Sequence, residues 1–296
     1  MQQSGSPDSS HPLRLMLFDN PRTTCQAFYK LWQSHPQLAC GRVFHSFAGC
    51  QQYGPERVSL KFQHSDIVTK ALEENWVKPY TDDQEAQKDY PPTLELALQK
   101  FEREIHGSEA DGKVFYGKEH IMFLMRQDVI LSTLRREDRD TVFPPVSDNP
   151  TYIPVNLLKT LTPIITIRHP LLVVDSAWRA QVEITKALPE EEDFEFQATL
   201  KWARILYDYF KDQLAIEPVV LESEDFIYKT KAVTDKLCAM YGLDPEGVKV
   251  TWDPVPKQYW PKQKVTTAYL GHMLASKGIE RDEKVRKSPA VATTVS

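Results

Sequence analysis

The stretch that most constrains the fold is residues 13–33, which read LRLMLFDNPRTTCQAFYKLWQ. Residues 13–18 form a nearly continuous apolar run, which is typical of a strand buried in a parallel sheet. Asn20 and Pro21 end this run. After them, four apolar side chains recur at helical spacing: Ala27, Phe28, Leu31 and Trp32. The stretch therefore predicts a buried strand, a tight turn and a helix in direct succession.

The turn between this strand and helix carries three polar residues, Arg22, Thr23 and Thr24. A strand–turn–helix unit directs backbone N–H groups and the positive end of the helix dipole at whatever lies in front of the helix. The turn is thus a candidate site for a phosphate or sulfate group. The alternative is an ordinary strand-to-helix connection with a polar cap, which this stretch by itself also fits.

The rest of the chain continues the alternation of strands and helices. Further strands are predicted at residues 112–120, 162–167 and 218–221, and helices at 67–76, 93–105, 121–134, 171–188, 196–214, 233–241 and 266–279. Loops are predicted at residues 35–66, 79–92, 141–158 and 250–264. Such alternation is typical of the α/β class, with a central parallel sheet flanked by helices. We expect one domain over residues 12–280, with polar, disordered ends at 1–11 and 281–296.

The charge balance is slightly acidic, with 36 Lys and Arg against 41 Asp and Glu and a formal net charge of −5. It argues against a general nucleic-acid-binding protein, which needs a basic face, but leaves room for a local basic pocket. The apolar runs are too short to span a bilayer, and the polar N-terminus is unlike a secretory signal. Four cysteines in no dense pattern favour thiols in a reducing compartment, although Cys40 and Cys50 could pair. We therefore expect a cytoplasmic protein.

Three polar side chains follow predicted strands: Arg22, His120 and Arg168. Ligands of open parallel sheets bind at the carboxyl ends of the strands, so these residues mark a candidate site. His120, two residues after Lys118, is a candidate general base because the imidazole pKa lies near neutrality. The alternative is a histidine hydrogen-bonded at the rim of the sheet.

The pair Arg168 and Ser176 is a second candidate constellation. A guanidinium at a strand end and a hydroxyl eight residues later can converge on one phosphate. The alternative is a surface arginine and an unrelated helix serine. A Walker-type match at residues 107–113 is discounted, because Val114 replaces the required hydroxyl and the match precedes a strand. No His or Cys pair has zinc-ligand spacing, so no metal is expected.

Taken in order, these motifs resemble the sulfotransferase family, especially its divergent fungal members, over residues 13–245. The family's first loop reads roughly P-K-S-G-T-T, and PRTTCQ stands at residues 21–26 here. Its 3′-phosphate motif is a strand followed by Arg and, eight positions on, Ser, which Arg168 and Ser176 match. Its catalytic histidine follows a strand near a lysine, as His120 follows Lys118. Residues 219–226 (VVLESEDF) resemble its later strand and acidic turn.

The resemblance implies an α/β fold related to P-loop nucleoside triphosphatases and 3′-phosphoadenosine 5′-phosphosulfate (PAPS) as donor. His120 would take the proton from an acceptor hydroxyl, with Arg22 and Lys118 as the other catalytic residues. The turn would hold the 5′-phosphosulfate through Arg22, Thr23, Thr24, Cys25 and Gln26. Arg168 and Ser176 would bind the 3′-phosphate. No metal is implied, because the transfer depends on electrostatic positioning.

The turn departs from the family pattern at several positions. Arg22 replaces a lysine, and its planar fork reaches differently. Thr24 stands where a glycine lets the backbone approach the phosphate. Cys25 and Gln26 replace hydroxyl residues. Asp19 would repel an anion if its side chain pointed into the site.

The leading functional prediction is therefore sulfonate transfer from PAPS to a hydroxyl of a small organic acceptor of the secondary-metabolite type. The second is a non-sulfating enzyme that uses His120 for cyclisation, elimination or isomerisation of a natural product. The third is a catalytically silent nucleotide-binding protein. Aromatic and proline residues in segments 36–62, 141–158 and 252–264 predict walls for an apolar, bulky small molecule. No nucleic acid or membrane partner is expected, and the sequence leaves the oligomeric state open.

Overall fold

The computed structural model describes residues 11–40, 47–48, 50, 58, 60, 93–135, 148–181, 188–260, 264–279 and 281. The predicted helix at 67–76 and the loop at 79–92 lie outside these residues, as do nearly all of the two chain ends. None of the helices within the described ranges is long and apolar enough to cross a membrane. The four cysteines all lie within these ranges and form no disulfide, as the sequence predicts.

A five-stranded sheet forms the centre of the described chain. Its strands are β1 (Arg14–Asp19), β2 (Leu38–Cys40), β3 (Val114–His120), β4 (Thr162–Ile167) and β5 (Val219–Glu222). Their spatial order is β2-β3-β1-β4-β5, and all four pairings are parallel. The predicted α/β class with a central parallel sheet is confirmed.

Helices flank the sheet along the whole described chain. They are α1 (Cys25–Gln33), α2 (Leu94–Ala110), α3 (Ile121–Leu124), α4 (Gln127–Leu134), α5 (Val155–Leu158), α6 (Pro170–Gln181), α7 (Glu192–Ala198), α8 (Lys201–Asp208), α9 (Ser223–Tyr228), α10 (Thr230–Tyr241) and α11 (Lys264–Ala275). A π-helical turn over Tyr209–Gln213 extends α8. Short 3₁₀ turns lie at Pro245–Gly247 and Lys257–Tyr259.

The strand β1 is buried along its entire length because it lies in the middle of the sheet and is covered on both faces. Leu15 and Leu17 face a cluster that includes the buried side of α1. Met16 and Phe18 face the larger cluster on the other side. A continuous apolar run is the sequence signature of a strand covered on both faces, and residues 13–18 carry it.

Several predicted elements differ from the structure. The segment expected to be irregular after residue 35 contains β2, which is only three residues long and therefore carries little sequence pattern. The helix predicted at 121–134 is interrupted at Met125, which bridges to Thr151. The helix predicted at 196–214 is divided among α7, α8 and the π turn. The short helix α5 lies inside the loop predicted at 141–158.

The acidic run at residues 189–193 leads into a helix. Glu191 is only 5% exposed, and its carboxylate accepts a bond from the backbone N–H of Leu188. The helix α7 begins at the next residue. The run is thus a buried cap and the first turn of a helix, where acidic residues are favoured by the helix dipole.

Candidate active site

The sheet order places a topological switch point at β1. From β1 the chain passes to β2 and β3 on one side of it and later to β4 and β5 on the other side, so a crevice forms at the carboxyl ends of β1, β3 and β4. In the sheet register Asp19 lies beside His120 on β3 and beside Thr166 on β4. In-register residues of neighbouring strands point to the same face, so these three side chains are brought together by the backbone.

Asp19 links two residues of the next strand. Its Oδ2 lies 2.9 Å from Nζ of Lys118, and both side chains are completely buried. Its Oδ1 is hydrogen-bonded to Nδ1 of His120, whose side chain remains 15% exposed. The order Lys118–Asp19–His120 therefore runs from the protein interior to the edge of the crevice. Asp19 points inward as a partner of two nitrogen groups, and the expectation that it would repel an anion does not describe its environment.

The protonation states of this trio follow from burial and charge. Burial alone would raise the pKa of Asp19, but Lys118 and His120 outweigh it and lower the pKa. Burial opposes the charged form of Lys118, yet Asp19 raises the Lys118 pKa. Burial lowers the pKa of His120 against the attraction of Asp19. The trio at neutral pH is a carboxylate, an ammonium and a neutral imidazole.

This arrangement fixes the imidazole tautomer. An ionised carboxylate only accepts hydrogen bonds, so Nδ1 of His120 carries the proton and donates it to Asp19. The lone pair then belongs to Nε2. A neutral imidazole oriented in this way is equipped to accept a proton from a substrate, which is the requirement for a general base.

Cys25, at the start of α1, completes a compact group with Asp19 and His120. One donor atom from each of the three lies within 4.8 Å of the others, the one such group found among the described residues. Burial and Asp19 raise the pKa of the thiol to about 12, so it stays protonated. Lys118 already supplies a positive charge to Asp19 at this place. The sequence prediction of no metal rested on spacing, which does not reveal this grouping.

The turn before α1 has an unusual backbone. Arg22 and Thr24 both have positive φ, at 68° and 59°, in the left-handed region that favours glycine. Such conformations in non-glycine residues cost about 1–2 kcal/mol each and concentrate at functional sites. The hydroxyl of Thr23 is buried, donates to the carbonyl of Asn20 at 2.7 Å and pairs with Thr166 at 2.8 Å. Thr23 therefore points into the protein.

Arg22 joins the turn to α6 and to α11. Its Nε donates to Oγ of Ser176 at 2.8 Å, and its Nη1 donates to the carbonyl oxygen of Tyr269 at 3.2 Å. The guanidinium carbon also lies 5.5 Å from the centre of the Tyr269 ring, within cation–π range. Burial lowers the pKa of Arg22.

Arg168 lies at the end of β4 and contacts the same turn. Its Nε donates to Oε1 of Glu224 at 2.9 Å, and its Nη1 donates to the carbonyl oxygen of Arg22 at 3.2 Å. Ser223 also holds the turn, because its hydroxyl lies 2.8 Å from the carbonyl oxygen of Thr23 and 2.9 Å from that of Ile167. The acidic turn after β5 thus supports the two strand-end loops beside it.

The structure brings the candidate residues into two neighbouring groups. Asp19, Lys118, His120 and Cys25 form one, and Arg22, Ser176 and Arg168 form the other. Lys118, which the resemblance implies as a catalytic residue, lies behind Asp19 with no exposed surface. Gln26 lies away from both groups and lines a groove of about 240 Å³ together with Tyr29 and Trp252.

Glu119 lies on the opposite face of β3 from Lys118 and His120. Its carboxyl is completely buried and accepts from the backbone N–H of His120 at 2.9 Å and of Phe47 at 3.2 Å. Burial raises its pKa to about 8. It fixes the backbone of the histidine from behind.

Sequence reasoning missed the roles of Asp19, Glu119, Glu224 and Tyr269. For Asp19 a signal existed, because the carboxyl ends of neighbouring parallel strands meet at one edge. Tyr269 had no such signal, since it comes from a helix 247 residues after its partner Arg22.

Comparisons with known proteins give distant similarities only. No protein-family model and no curated protein sequence matches the chain. A solved sulfotransferase from Alicyclobacillus acidocaldarius is similar with 12% identity and a TM-score of 0.44, over 89% of this chain and 96% of that one. The sulfotransferase domain from the Curacin biosynthetic pathway is similar with 14% identity and a TM-score of 0.39, over 96% of this chain and 83% of that one. Neither reaches a TM-score of 0.5, so the chemistry of this chain is assigned from its own side chains.

Proposed function

We propose that this protein is an enzyme in which His120 acts as general base on the hydroxyl of a small organic acceptor, with PAPS as sulfonate donor. One observation carries the proposal: the imidazole of His120 is held by a buried carboxylate at the switch point of the sheet. The proposed acceptor is apolar and bulky, as the aromatic and proline-rich segments of the sequence suggest.

The proton transfer follows from the tautomer. Nε2 of His120 takes the proton of the acceptor hydroxyl, and the imidazolium that forms is stabilised by the adjacent Asp19 carboxylate. Lys118 keeps Asp19 ionised through the whole step, because its ammonium is 2.9 Å away. Glu119 holds the backbone N–H of His120 from the other face of the sheet.

Arg22 of the turn, with Arg168 and Ser176 beside it, fits the phosphate part of PAPS. Arg22 and Arg168 supply positive charge, and Ser176 accepts a bond from Arg22, so its own proton is directed to another acceptor. PAPS, when bound, would supply the sulfonate group. The side chains of Thr23 and Cys25 are turned into the protein and are not placed as donors to it.

That inward orientation favours a second candidate function. A site with an intact base and few hydrogen-bond donors around a sulfonate group also suits proton chemistry that needs no PAPS. Cyclisation, elimination and isomerisation are examples. In this alternative, His120 removes a proton from carbon or oxygen and returns it elsewhere on the same substrate.

The proposed function is tested by incubating the protein with sulfur-labelled PAPS and a panel of phenols and alcohols, followed by separation of labelled products. We expect transfer of label to at least one acceptor, and its loss in His120→Asn. The asparagine is close in size to the imidazole but cannot act as a base at neutral pH. Binding of PAPS without transfer to any acceptor, or transfer that survives in His120→Asn, would contradict the proposal.

A further inference from the structure

The position of Arg22 differs from the one that the family resemblance implies. The resemblance puts Arg22 beside the transferred sulfonate and Ser176 at the 3′-phosphate. In the structure the two side chains are directly bonded, Nε to Oγ at 2.8 Å. Arg168, the other residue of the 3′-phosphate motif, reaches the backbone carbonyl of Arg22 at 3.2 Å.

We infer that Arg22, positioned by Tyr269, recognises the 3′-phosphate of the donor together with Arg168 and Ser176, and takes no part in the transfer centre. The inference rests on the proposed function, because it assigns a residue to the donor that this function requires.

The charge of this group supports an anion as its ligand. Among the described residues, the guanidinium of Arg22 contacts a hydroxyl, a carbonyl oxygen and an aromatic ring, which are all neutral. Arg168 is close enough to lower the pKa of Arg22 further, and one carboxylate, Glu224, is bonded to this pair. The two guanidinium groups and the one carboxylate bonded to Arg168 carry a net positive charge, and both arginine side chains are half-buried. A phosphate dianion would compensate the cost of that burial.

Tyr269 fixes the direction of the Arg22 side chain. Its carbonyl oxygen and its ring both contact the guanidinium, while its hydroxyl donates to Oε1 of Gln197 on α7 at 3.2 Å. Burial raises the pKa of this hydroxyl to about 12, so it remains a donor at neutral pH. The ring and the backbone carbonyl of Tyr269 thus hold the Arg22 guanidinium beside Ser176.

The transfer centre is built from other side chains. Asp19 is paired with Lys118 and His120, and the described hydrogen bonds of Arg22 include none of these three. Removal of Arg22 should therefore reduce affinity for the 3′-phosphate while the base itself stays intact.

The test measures calorimetric affinities of two probes, adenosine 3′,5′-bisphosphate and adenosine 5′-monophosphate, which differ by the 3′-phosphate alone. Arg22→Gly is the main variant, because its φ of 68° suits glycine and the change relieves backbone strain. We expect Arg22→Gly to weaken the binding of the bisphosphate by about tenfold or more, because a charge-assisted hydrogen bond is lost. The affinity for the monophosphate should change by less than about twofold.

Three further variants test whether the effect is specific to Arg22 and to the ring that positions it. Arg204→Ala removes an exposed positive charge on α8 that pairs with Asp208, and should leave both affinities unchanged. Tyr269→Ala should weaken the bisphosphate selectively, whereas Tyr269→Phe, which keeps the ring, should bind nearly as the wild type does.

Equal losses for both probes in Arg22→Gly would place Arg22 at the 5′ end and overturn the inference, while leaving PAPS as donor. Unchanged bisphosphate affinity would overturn it as well. Failure of the wild type to bind the bisphosphate at millimolar concentration would overturn the donor assignment and the inference with it. If Arg22→Gly does not fold, Arg22→Lys serves instead, and the same selective loss is expected at smaller size.

Discussion

At the scale of single residues, the buried carboxylate of Asp19 links Lys118 and His120 at the ends of β1 and β3. Asp19 is 101 positions from His120 in the chain and beside it in the sheet. The sequence alone indicates a charge that would repel an anion. The direction of the Asp19 side chain and its partners Lys118 and His120 become visible only when β1 and β3 are paired. Arg22, Lys118 and Ser176 were found from the sequence, but their contacts were not.

Asp19→Asn should lower His120-dependent turnover by about a hundredfold or more. The neutral amide neither enforces the tautomer nor stabilises the imidazolium. The variant should also lose about 3 kcal/mol of stability, because Lys118 remains as a buried charge without its counter-charge. Turnover per folded molecule and urea unfolding measure the two effects.

Asp235→Asn is the matched control, since Asp235 forms an exposed ion pair with Lys231 on α10. It should leave turnover unchanged and cost less than about 0.5 kcal/mol. Turnover in Asp19→Asn that equals that of this control would show that His120 does not depend on the carboxylate.

At the scale of elements, strands buried on both faces were predictable and short or interrupted elements were not. The strand β4 has the predicted bounds, since its β-branched apolar run has few alternatives. The amphipathic spacing over 196–214 continues through α7, α8 and the π turn. The helix is nevertheless interrupted at residues 199–201, where the backbone N–H of Lys201 donates to the hydroxyl of Thr199. Periodicity indicates which side is buried and not where the helix is interrupted.

The end of α10 at Gly242 gives a test of helix capping. Gly242 has φ of 67°, the left-handed conformation in which many helices end, and no atom lies within 4 Å of an added Cβ. Gly242→Ala should therefore cost about 1 kcal/mol from backbone strain alone. Gly107→Ala, in the last turn of α2 with equally open surroundings, should instead stabilise by up to about 0.5 kcal/mol. Chemical unfolding of both variants checks the opposite signs, and two changes of the same sign would refute this assignment.

Glu119 on β3 gives a test of pH dependence. Its pKa in the folded protein is about 8, above its ordinary value of 4.5, so the native state holds a proton that the unfolded state has lost. This contribution to the free energy of unfolding is complete below about pH 4.5 and is lost as the pH rises through 8. Relative to the wild type, Glu119→Gln should therefore gain stability between pH 5 and pH 8.5, by on the order of a few kcal/mol.

Glu119→Gln also loses one backbone hydrogen bond, which changes the free energy of unfolding by the same amount at every pH. The slope of the free energy of unfolding against pH is therefore the quantity to compare. Glu102→Gln, on the exposed side of α2, is the control and should run parallel to the wild type. A Glu119→Gln curve that also runs parallel would mean that Glu119 is ionised in the folded protein throughout this range.

At the scale of the whole molecule, the alternation of strands and helices was sufficient to predict the parallel sheet. The sheet order then determines where the site lies, because β1 is flanked by β3 and β4 and the crevice forms where they end. The part of the site contributed by α11 was not predictable, since nothing in the order of elements says that Tyr269 reaches the first turn.

Ligand binding should stabilise the whole domain. Adenosine 3′,5′-bisphosphate at about 100 times its dissociation constant should add about 2.7 kcal/mol to the free energy of unfolding. For a chain of 296 residues that is a rise in melting temperature of roughly 4–5 °C. A thermal-shift titration measures it, with Arg168→Ala expected to reduce the shift. No shift at millimolar nucleotide would leave the donor-independent enzyme as the remaining function.

The proposed function requires His120 to be a neutral base that Asp19 holds in one tautomer. The most direct measurement is the nitrogen-15 NMR spectrum of the imidazole groups across pH 5–8, with the His120 signals identified by their loss in His120→Asn. We predict that His120 is neutral at pH 7, protonated at Nδ1, and titrates below its ordinary pKa of 6.5 because of burial. An imidazolium at pH 7, or a neutral ring protonated at Nε2, would contradict the account.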